Sequence, residues 1–325
     1  MKRRRFLMAG LAGAAYPLAF AQPRTKLRRV GYLSGLSAEA SKPWLAAFRQ
    51  GLRGSGYVEG TSIAIEERYA AGQFHRLPGL AGELLRLEVD VFLIYSAEAA
   101  RAAMAAAPAV PIVLANVGDP VANGLVKSLA RPGGNITGLS DYHGASVTKR
   151  LELLKEIAPS ARRVAVLWRP GQPAHRPQLK DVEAAAVALG LSTLAIGVKS
   201  LPEIESTFAA FKAGGAGAML VLGDVLFTTH QARIARLALE NRLPAMYTTR
   251  SFVQAGGLIA YGASFAEMFR RAASYVDRIL KGAKAGDLPI EQPTKFELRV
   301  NLETAKAIGV TVPRAVLLRA DELID

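Results

Sequence analysis

From residue 28 to the C-terminus, short apolar runs alternate with segments whose apolar residues recur three and four apart. The runs "RRVGYLS", "SIAIEERYA", "DVFLIYS" and "VPIVLANV" read as strands, the last two as strands buried on both faces. Between them, "KPWLAAFRQGLRGSGY", "RLPGLAGELLRLEV" and "AEAARAAMAAAPA" carry helical spacing, and the first stops at Gly54 and Gly56. Strand–helix alternation with continuous apolar strands predicts an α/β doubly wound sheet.

Residues 117–140, "VGDPVANGLVKSLARPGGNITGLS", interrupt the alternation with two rigid turns. Asp119 suits a cap at a strand end and Pro120 the first turn of a helix, so "VANGLVKSL" is expected to be that helix. Arg131-Pro-Gly-Gly-Asn135 then ends it, and "ITGLS" is a new strand leading out of the sheet.

The pattern restarts after this strand. "VTKRLELLKEIAP" is an amphipathic helix, and "RRVAVLW" opens like "RRVGYLS". Helices "PQLKDVEAAAVALG", "EIESTFAAFKAGG" and "HQARIARLALENR" alternate with strands "STLAIGV", "AGAMLVLG" and "LPAMYTT". The chain therefore reads as two similar α/β halves, joined near residues 139–142. One further strand–helix set, "SFVQAGGLIAYG" with "AEMFRRAASYVDRILKG", is expected to return to the first lobe, and the Pro-punctuated tail to tie the two together. The expected division is residues 22–140 plus 253–285 for lobe I, and 141–252 plus 286–325 for lobe II and the tie.

The N-terminus changes the picture. Met1-Lys-Arg-Arg-Arg is a basic start, "FLMAGLAGAAYPLAF" a short apolar stretch, and Ala19-Phe20-Ala21 a small-x-small cleavage site before Gln22. Residues 1–21 thus have the layout of a secretory signal, by the Sec route or, given Arg3-Arg4-x-Phe6-Leu7, the twin-arginine route. The expected location is the periplasm. The whole chain of 325 residues has net charge +14; losing the signal removes four cations and leaves +10. Cysteine is absent, which excludes disulfides, thiolate metal sites and a lipid-modified cysteine anchor. No later apolar run reaches the ~18 residues of a membrane span, so no span is expected in the mature protein, and export makes nucleic acid an improbable partner.

"GYVEG", "RLPGLAGELLRLEVDV", "VGDPVANGLVKSLARPGGNITGLS", "KRLELLKEIAP", "RLPAMY", "GGLIAYG" and "LPIEQPTKFELRVNLETAKAIG" run in order from about residue 28 to the end. They resemble the substrate-binding protein family of ABC transporters, more narrowly its tryptophan/tyrosine type. The resemblance implies an α/β type I periplasmic binding protein fold: two Rossmann-like lobes with parallel sheets joined by a multi-strand hinge, with three hinge crossings and one cleft. It also implies a small-molecule ligand of the aromatic amino-acid class or a related small carboxylate, no cofactor, and an ABC permease in the inner membrane as partner. One position departs: family members often carry a Gly-Thr-type pair after the third strand, where this chain has Tyr95-Ser96-Ala97-Glu98. A carboxylate there opposes an anionic ligand end unless Glu98 turns away.

In open α/β sheets ligands bind beyond the carboxyl ends of the strands. The strand ends nominate Ser34-Gly35, Ser96-Ala97-Glu98 and Gly118-Asp119 from lobe I, and Trp168-Arg169, Gly223-Asp224 and Tyr247-Thr248 from lobe II. Tyr261 follows the returning strand and Tyr142 lies near the first crossing. Ser34, Ser96, Ala97, Glu98, Asp119, Tyr142, Trp168, Asp224, Tyr247 and Tyr261 are the candidate ligand contacts. Each has a structural alternative: Asp119 and Asp224 as helix caps, Ser96 and Ala97 as a helix start, Trp168 and the tyrosines as packing. Trp44 is expected on the first helix of lobe I.

Other chemistry finds little support. His75, His143, His175 and His230 lack metal-ligand spacing and read as surface histidines. There is no Gly-x-Ser-x-Gly elbow and no Walker loop, and "GLRGSG" follows a helix rather than a strand, the wrong context for a nucleotide loop. The leading reading is therefore a binding protein that closes on its ligand. A ligand-sensing component for a membrane receptor and an exported α/β enzyme are the alternatives.

Overall fold

In the computed structural model, which describes residues 27–325 apart from His143, the apolar runs form two sheets. The first half contains β1 (Arg28–Ser34), α1 (Ala38–Gly54), β2 (Ile63–Tyr69), α2 (Leu77–Arg86), β3 (Val91–Tyr95), α3 (Ala97–Ala106), β4 (Ile112–Asn116) and β5 (Ile136–Leu139). The second contains α4 (Gly144–Ile157), β6 (Arg163–Trp168), α5 (His175–Ala188), β7 (Ser192–Gly197), α6 (Leu201–Ala213), β8 (Ala218–Val221), α7 (Val225–Thr229), α8 (Gln231–Glu240), β9 (Ala245–Tyr247), α9 (Arg250–Gln254) and β10 (Ile259–Ala263). The chain ends with α10 (Phe265–Leu280), β11 (Ile290–Glu291), β12 (Phe296–Asn301), α11 (Leu302–Ile308), α12 (Arg314–Leu317) and β13 (Glu322–Ile324).

Sheet one runs β2-β1-β3-β4-β5-β11, with every pair parallel. Sheet two runs β7-β6-β8-β9-β10-β12-β13, parallel except for the β10–β12 pair. Both sheets are covered on two faces, and the strand alternation shows how. In β1 and β3, Val30, Tyr32, Leu93 and Tyr95 pack under α1 and α10 with Phe48 and Phe269. Their neighbours Leu33, Phe92 and Ile94 pack under α2 and α3 with Leu84 and Ala103. In β6, Val164 and Val166 meet Leu151 and Leu154 of α4, while Ala165 and Leu167 meet Phe208 and Phe211 of α6. This is the two-sided burial that continuous apolar strands require.

The chain crosses between lobes three times: after β5, between β10 and α10, and between β11 and β12. The expected return at residue 253 falls elsewhere. β10 stays in sheet two, paired with β9 and β12, and only α10 and β11 rejoin lobe I. α10 packs so tightly on α1 that a Cβ at Gly51 would lie 2.6 Å from the Arg270 carbonyl oxygen. The first and third crossings are stitched together: Ser140 N–H donates to the Glu291 carbonyl at 2.9 Å, and Gln292 Nε2 to that of Tyr142 at 2.7 Å.

The helix expected at "VANGLVKSL" does not form. Asp119 Oδ1 accepts the Val121 and Ala122 N–H groups at 2.9 and 3.0 Å, and Asn123 Nδ2 donates to the Asp119 carbonyl at 2.8 Å. Gly124, at φ +68°, then ends the structure after a single turn. The double glycine has another task than stopping a helix. Gly133 and Gly134 adopt φ +71° and +59°, and Gly133 N–H donates to the Gly286 carbonyl at 3.2 Å. A Cβ on Gly286 would lie 2.5 Å from the Gly134 carbonyl oxygen, so this turn seats the chain on its way to the third crossing. Among the described residues no helix is long and apolar enough to cross a membrane. The signal-like residues 1–21 lie outside the described residues.

Candidate functional site

The carboxyl ends of both sheets face one another, as the doubly wound topology requires of a ligand crevice. Between them lies a cleft of about 530 Å³, open mouth included. Lobe I contributes Tyr95, Ser96, Ala97 and Glu98 after β3, Asn116 to Gly118 after β4, and Asn123 from the Asp119-capped turn. Lobe II contributes Gln172 from the turn before α5, His175 and Gln178 from its first residues, Gly223 and Asp224 after β8, and Thr248 and Thr249 after β9. Asp141 and Phe265 enter from the first and second crossings.

The β3–α3 junction is strained. Ser96 stands at φ +96° and ψ 150°, a region natural to glycine. That conformation lets its Oγ cap α3 by accepting the Ala99 N–H at 3.2 Å. The N–H groups of Ala97 and Glu98 begin the helix and are left without intrahelical partners, so the α3 end can receive an anionic group.

A charge cluster joins the two lobes across the cleft. Arg169 Nε donates to Asp224 Oδ2 at 2.8 Å, and Arg169 Nη2 to Glu98 Oε1. Its guanidinium carbon lies 5.2 Å from the centre of the Phe74 ring. Asp224 Oδ1 meanwhile accepts the Leu226 N–H at 2.8 Å and caps α7. Burial pushes the Asp224 carboxyl above its ordinary value, against the pull of Arg169. The two carboxyl groups thus share one guanidinium. At the hinge Asp141 is likewise raised by burial and opposed by Arg150. Burial brings Arg150 down to about 10, and its Nε donates to the Tyr261 carbonyl at 2.7 Å.

Several polar atoms of this cleft are buried and have no protein partner: Glu98 Oε2, Asn123 Oδ1 and Gln172 Oε1, whereas the Asn116 side chain has the Asp141 carboxylate beside it. Asn123 and Gln172 are 6% and 8% exposed. A buried orphan of this kind costs about 1–3 kcal/mol until something pairs with it. All three orphans are acceptors, so the cleft presents a demand for hydrogen-bond donors. Tyr95 and Phe265 supply aromatic wall, backed by Trp44 and Phe269 with ring centroids 5.1–6.4 Å apart.

Of the candidates read from the sequence, Ser96, Ala97, Glu98 and Asp224 line this cleft. Glu98 does not stand as a bare charge beside the helix end, because Arg169 holds it. The other six lie elsewhere. Ser34 is fully buried and its Oγ accepts the Leu36 N–H at 3.1 Å. Asp119 is the turn cap described above. Tyr142 donates its hydroxyl to Asp181 on α5, and Tyr261 stacks on Phe296 with centroids 5.6 Å apart. Trp168 packs against the α4 side of sheet two, with its Nε1 unpartnered. Tyr247 is wholly buried and stacks on Phe252, with centroids 4.5 Å apart. His175 departs from the surface reading: it is fully buried, Nδ1 accepting the Arg169 N–H at 2.9 Å and Nε2 lying 3.1 Å from the Gly223 carbonyl. His143 lies outside the described residues.

Asn116, Asn123, Asp141, Gln172, His175, Gln178 and Thr249 carried no signal strong enough to single them out. A helical signal existed for two of them. His175 and Gln178 are three apart at the start of α5, hence on one face of the first turn.

Comparison with known proteins gives this geometry its context. The family described as ABC transporter substrate binding protein matches residues 30–324. A tyrosine-binding protein of Clostridioides difficile (strain R20291) is 27% identical over 280 residues, covering 85% of this chain and 80% of that one. A conserved domain protein of Vibrio cholerae superposes with TM-score 0.86 at 26% identity, over 92% of this chain and all of that one. A domain from Streptococcus pneumoniae in complex with L-Trp has the same TM-score at 23% identity and the same coverage. A ligand-free, open substrate-binding protein with adhesive properties from Clostridium difficile gives TM-score 0.70 at 25% identity, over 92% and 99%. With a match over almost all of its described length and a cleft between two Rossmann-like lobes, the chain belongs to the ABC transporter substrate-binding protein family.

Proposed function

We propose that this protein captures an aromatic amino acid, or a closely related small amine-bearing carboxylate, between its lobes and delivers it to an ABC permease of the inner membrane. The observation that carries the reading is the set of buried, unpartnered acceptors Glu98 Oε2, Asn123 Oδ1 and Gln172 Oε1 around one cleft. An ammonium group supplies three donors to such a set. The free N–H groups opening α3 suit the carboxylate of the same ligand. Tyr95 and Phe265 give its ring an aromatic wall. The tyrosine-binding relative and the L-Trp-bound neighbour favour the same class.

The test is a thermal-shift screen of the purified protein with the common amino acids. A ligand at about 100 times its Kd stabilises by about 2.7 kcal/mol. L-Tyrosine or L-tryptophan should give the largest shift. A flat response to both, with a shift from a sugar or a simple dicarboxylate, rejects this ligand class.

Residues 1–21 are read as an export leader that sends the mature protein to the periplasm. Intact-mass measurement of exported protein should place the N-terminus at Gln22. Full-length protein found only in the cytoplasm rejects this part.

A further inference from the structure

We propose that Glu98 is the specificity-determining residue that couples recognition of a ligand amine to closure of the lobes. Its two oxygens face different tasks. Oε1 accepts from Arg169, which is anchored in lobe II by Asp224. Oε2 is buried, lines the cleft and has no protein partner. The Glu98 and Arg169 side chains are 13% and 11% exposed, and that of Asp224 is 0% exposed, so the cluster is largely shielded from solvent. Phe74, also from lobe I, covers the guanidinium with its ring.

A contact of this type exists only while the lobes are together. Opening the cleft takes Arg169 away from Glu98 and Phe74, while Asp224 on its own lobe stays with it. In the closed arrangement the Arg169 and Phe74 contacts hold the lobes together on their own, and the orphaned Oε2 offsets only part of that hold until a second donor reaches it. A ligand ammonium on Oε2 satisfies it, and the closed lobes then hold Glu98 between two cations. A ligand of the same shape without the amine leaves Oε2 unpaired and binds the closed lobes more weakly. The coupling rests on the proposed capture of an amine-bearing ligand. Its inter-lobe half stands independently of which ligand is bound.

The experiment compares the wild type with Glu98→Gln and Phe74→Leu. Calorimetry uses L-tyrosine and 3-(4-hydroxyphenyl)propanoate, which lacks the amine. Small-angle scattering reports the radius of gyration without added ligand. The wild type should prefer L-tyrosine by about 10- to 100-fold, the worth of a hydrogen bond to a charged group. Glu98→Gln should lose most of that preference. Phe74→Leu should weaken both ligands together and keep it, which separates amine recognition from a general loosening of the closed state. Unaltered discrimination in Glu98→Gln, or an equal loss in Phe74→Leu, overturns the assignment. If the wild type binds neither probe, the aromatic amino-acid class falls, and scattering decides the inter-lobe half. There the wild type must be more compact than both variants, and equal radii overturn it.

Discussion

His175 accepts the Arg169 backbone N–H at Nδ1, 2.9 Å away, and its Nε2 lies 3.1 Å from the Gly223 carbonyl. One neutral imidazole thereby ties the loop after β6 to the loop after β8, and so fixes where Arg169 and Asp224 meet. The hydrogen bond to Nδ1 requires a lone pair there, and a proton on both nitrogens would destroy it.

This gives a pH dependence with a definite sign. Burial holds His175 below its ordinary 6.5. As pH falls below 6.5 the unfolded chain takes up a proton that the folded chain refuses, so stability falls. His230 is lowered by burial too and acts in the same direction. Asp224 and Asp141 are raised by burial; they bind protons in the folded state first and oppose the trend nearer the carboxylate range. The melting temperature should drop between pH 7 and pH 5, and His175→Asn, which keeps an acceptor near the Nδ1 position, should flatten the drop. An unchanged slope in the variant would remove His175 as its source.

Tyr247 offers a second test, because its hydroxyl is buried without a partner and burial pushes its pKa up. Tyr247→Phe removes an unsatisfied group worth about 1–3 kcal/mol and preserves the stack on Phe252. The variant should melt no lower than the wild type and bind ligand equally well. Weakened binding at unchanged stability would bring Tyr247 back to the site.

The two tryptophans separate cleanly. Trp44 stacks near Tyr95 and Phe265, both of which line the cleft. Trp168 packs on the other side of sheet two's strand ends. The fluorescence change on binding should therefore vanish in Trp44→Phe and persist in Trp168→Phe. The reverse result would move the pocket.

Gly138 tests the sheet itself. It sits at φ +127° in β5, and a Cβ there would lie 2.2 Å from the Leu114 carbonyl oxygen of β4. Gly138→Ala should destabilise the protein by at least about 1–3 kcal/mol. An unchanged unfolding midpoint in urea would show that β5 can move away from β4 at little cost.

The run of elements was legible because each depends on local periodicity. VFLIY and IVLAN are apolar at almost every position and are buried at all five, so a doubly covered parallel strand follows from the residues alone. The same holds for the two lobes and for the residues opening α3: Ser96, Ala97 and Glu98 come straight from a strand end followed by a helix. "VANGLVKSL" failed for a local reason as well, since Asn123 and Gly124 close the turn that the apolar spacing would have continued.

What tertiary structure decided falls into two kinds. β10 has an unmistakable strand pattern, yet nothing in that pattern says which sheet it joins; the choice rests on partners more than ten residues away in β9 and β12. The site residues turned on direction. Side chains within a strand alternate between its two helix-covered faces, and the residues just past its carboxyl end have the cleft before them. The sequence brought attention to the right strand ends, and weighed Trp168 and Tyr247 for their chemistry. Packing turned those two into the lobe and left, one residue on, Thr248 at the cleft and Arg169 holding the cleft residues Asp224 and Glu98. Where a strand lies is written in its own residues, whereas the way its last side chains point depends on what the opposite lobe and the covering helices leave open.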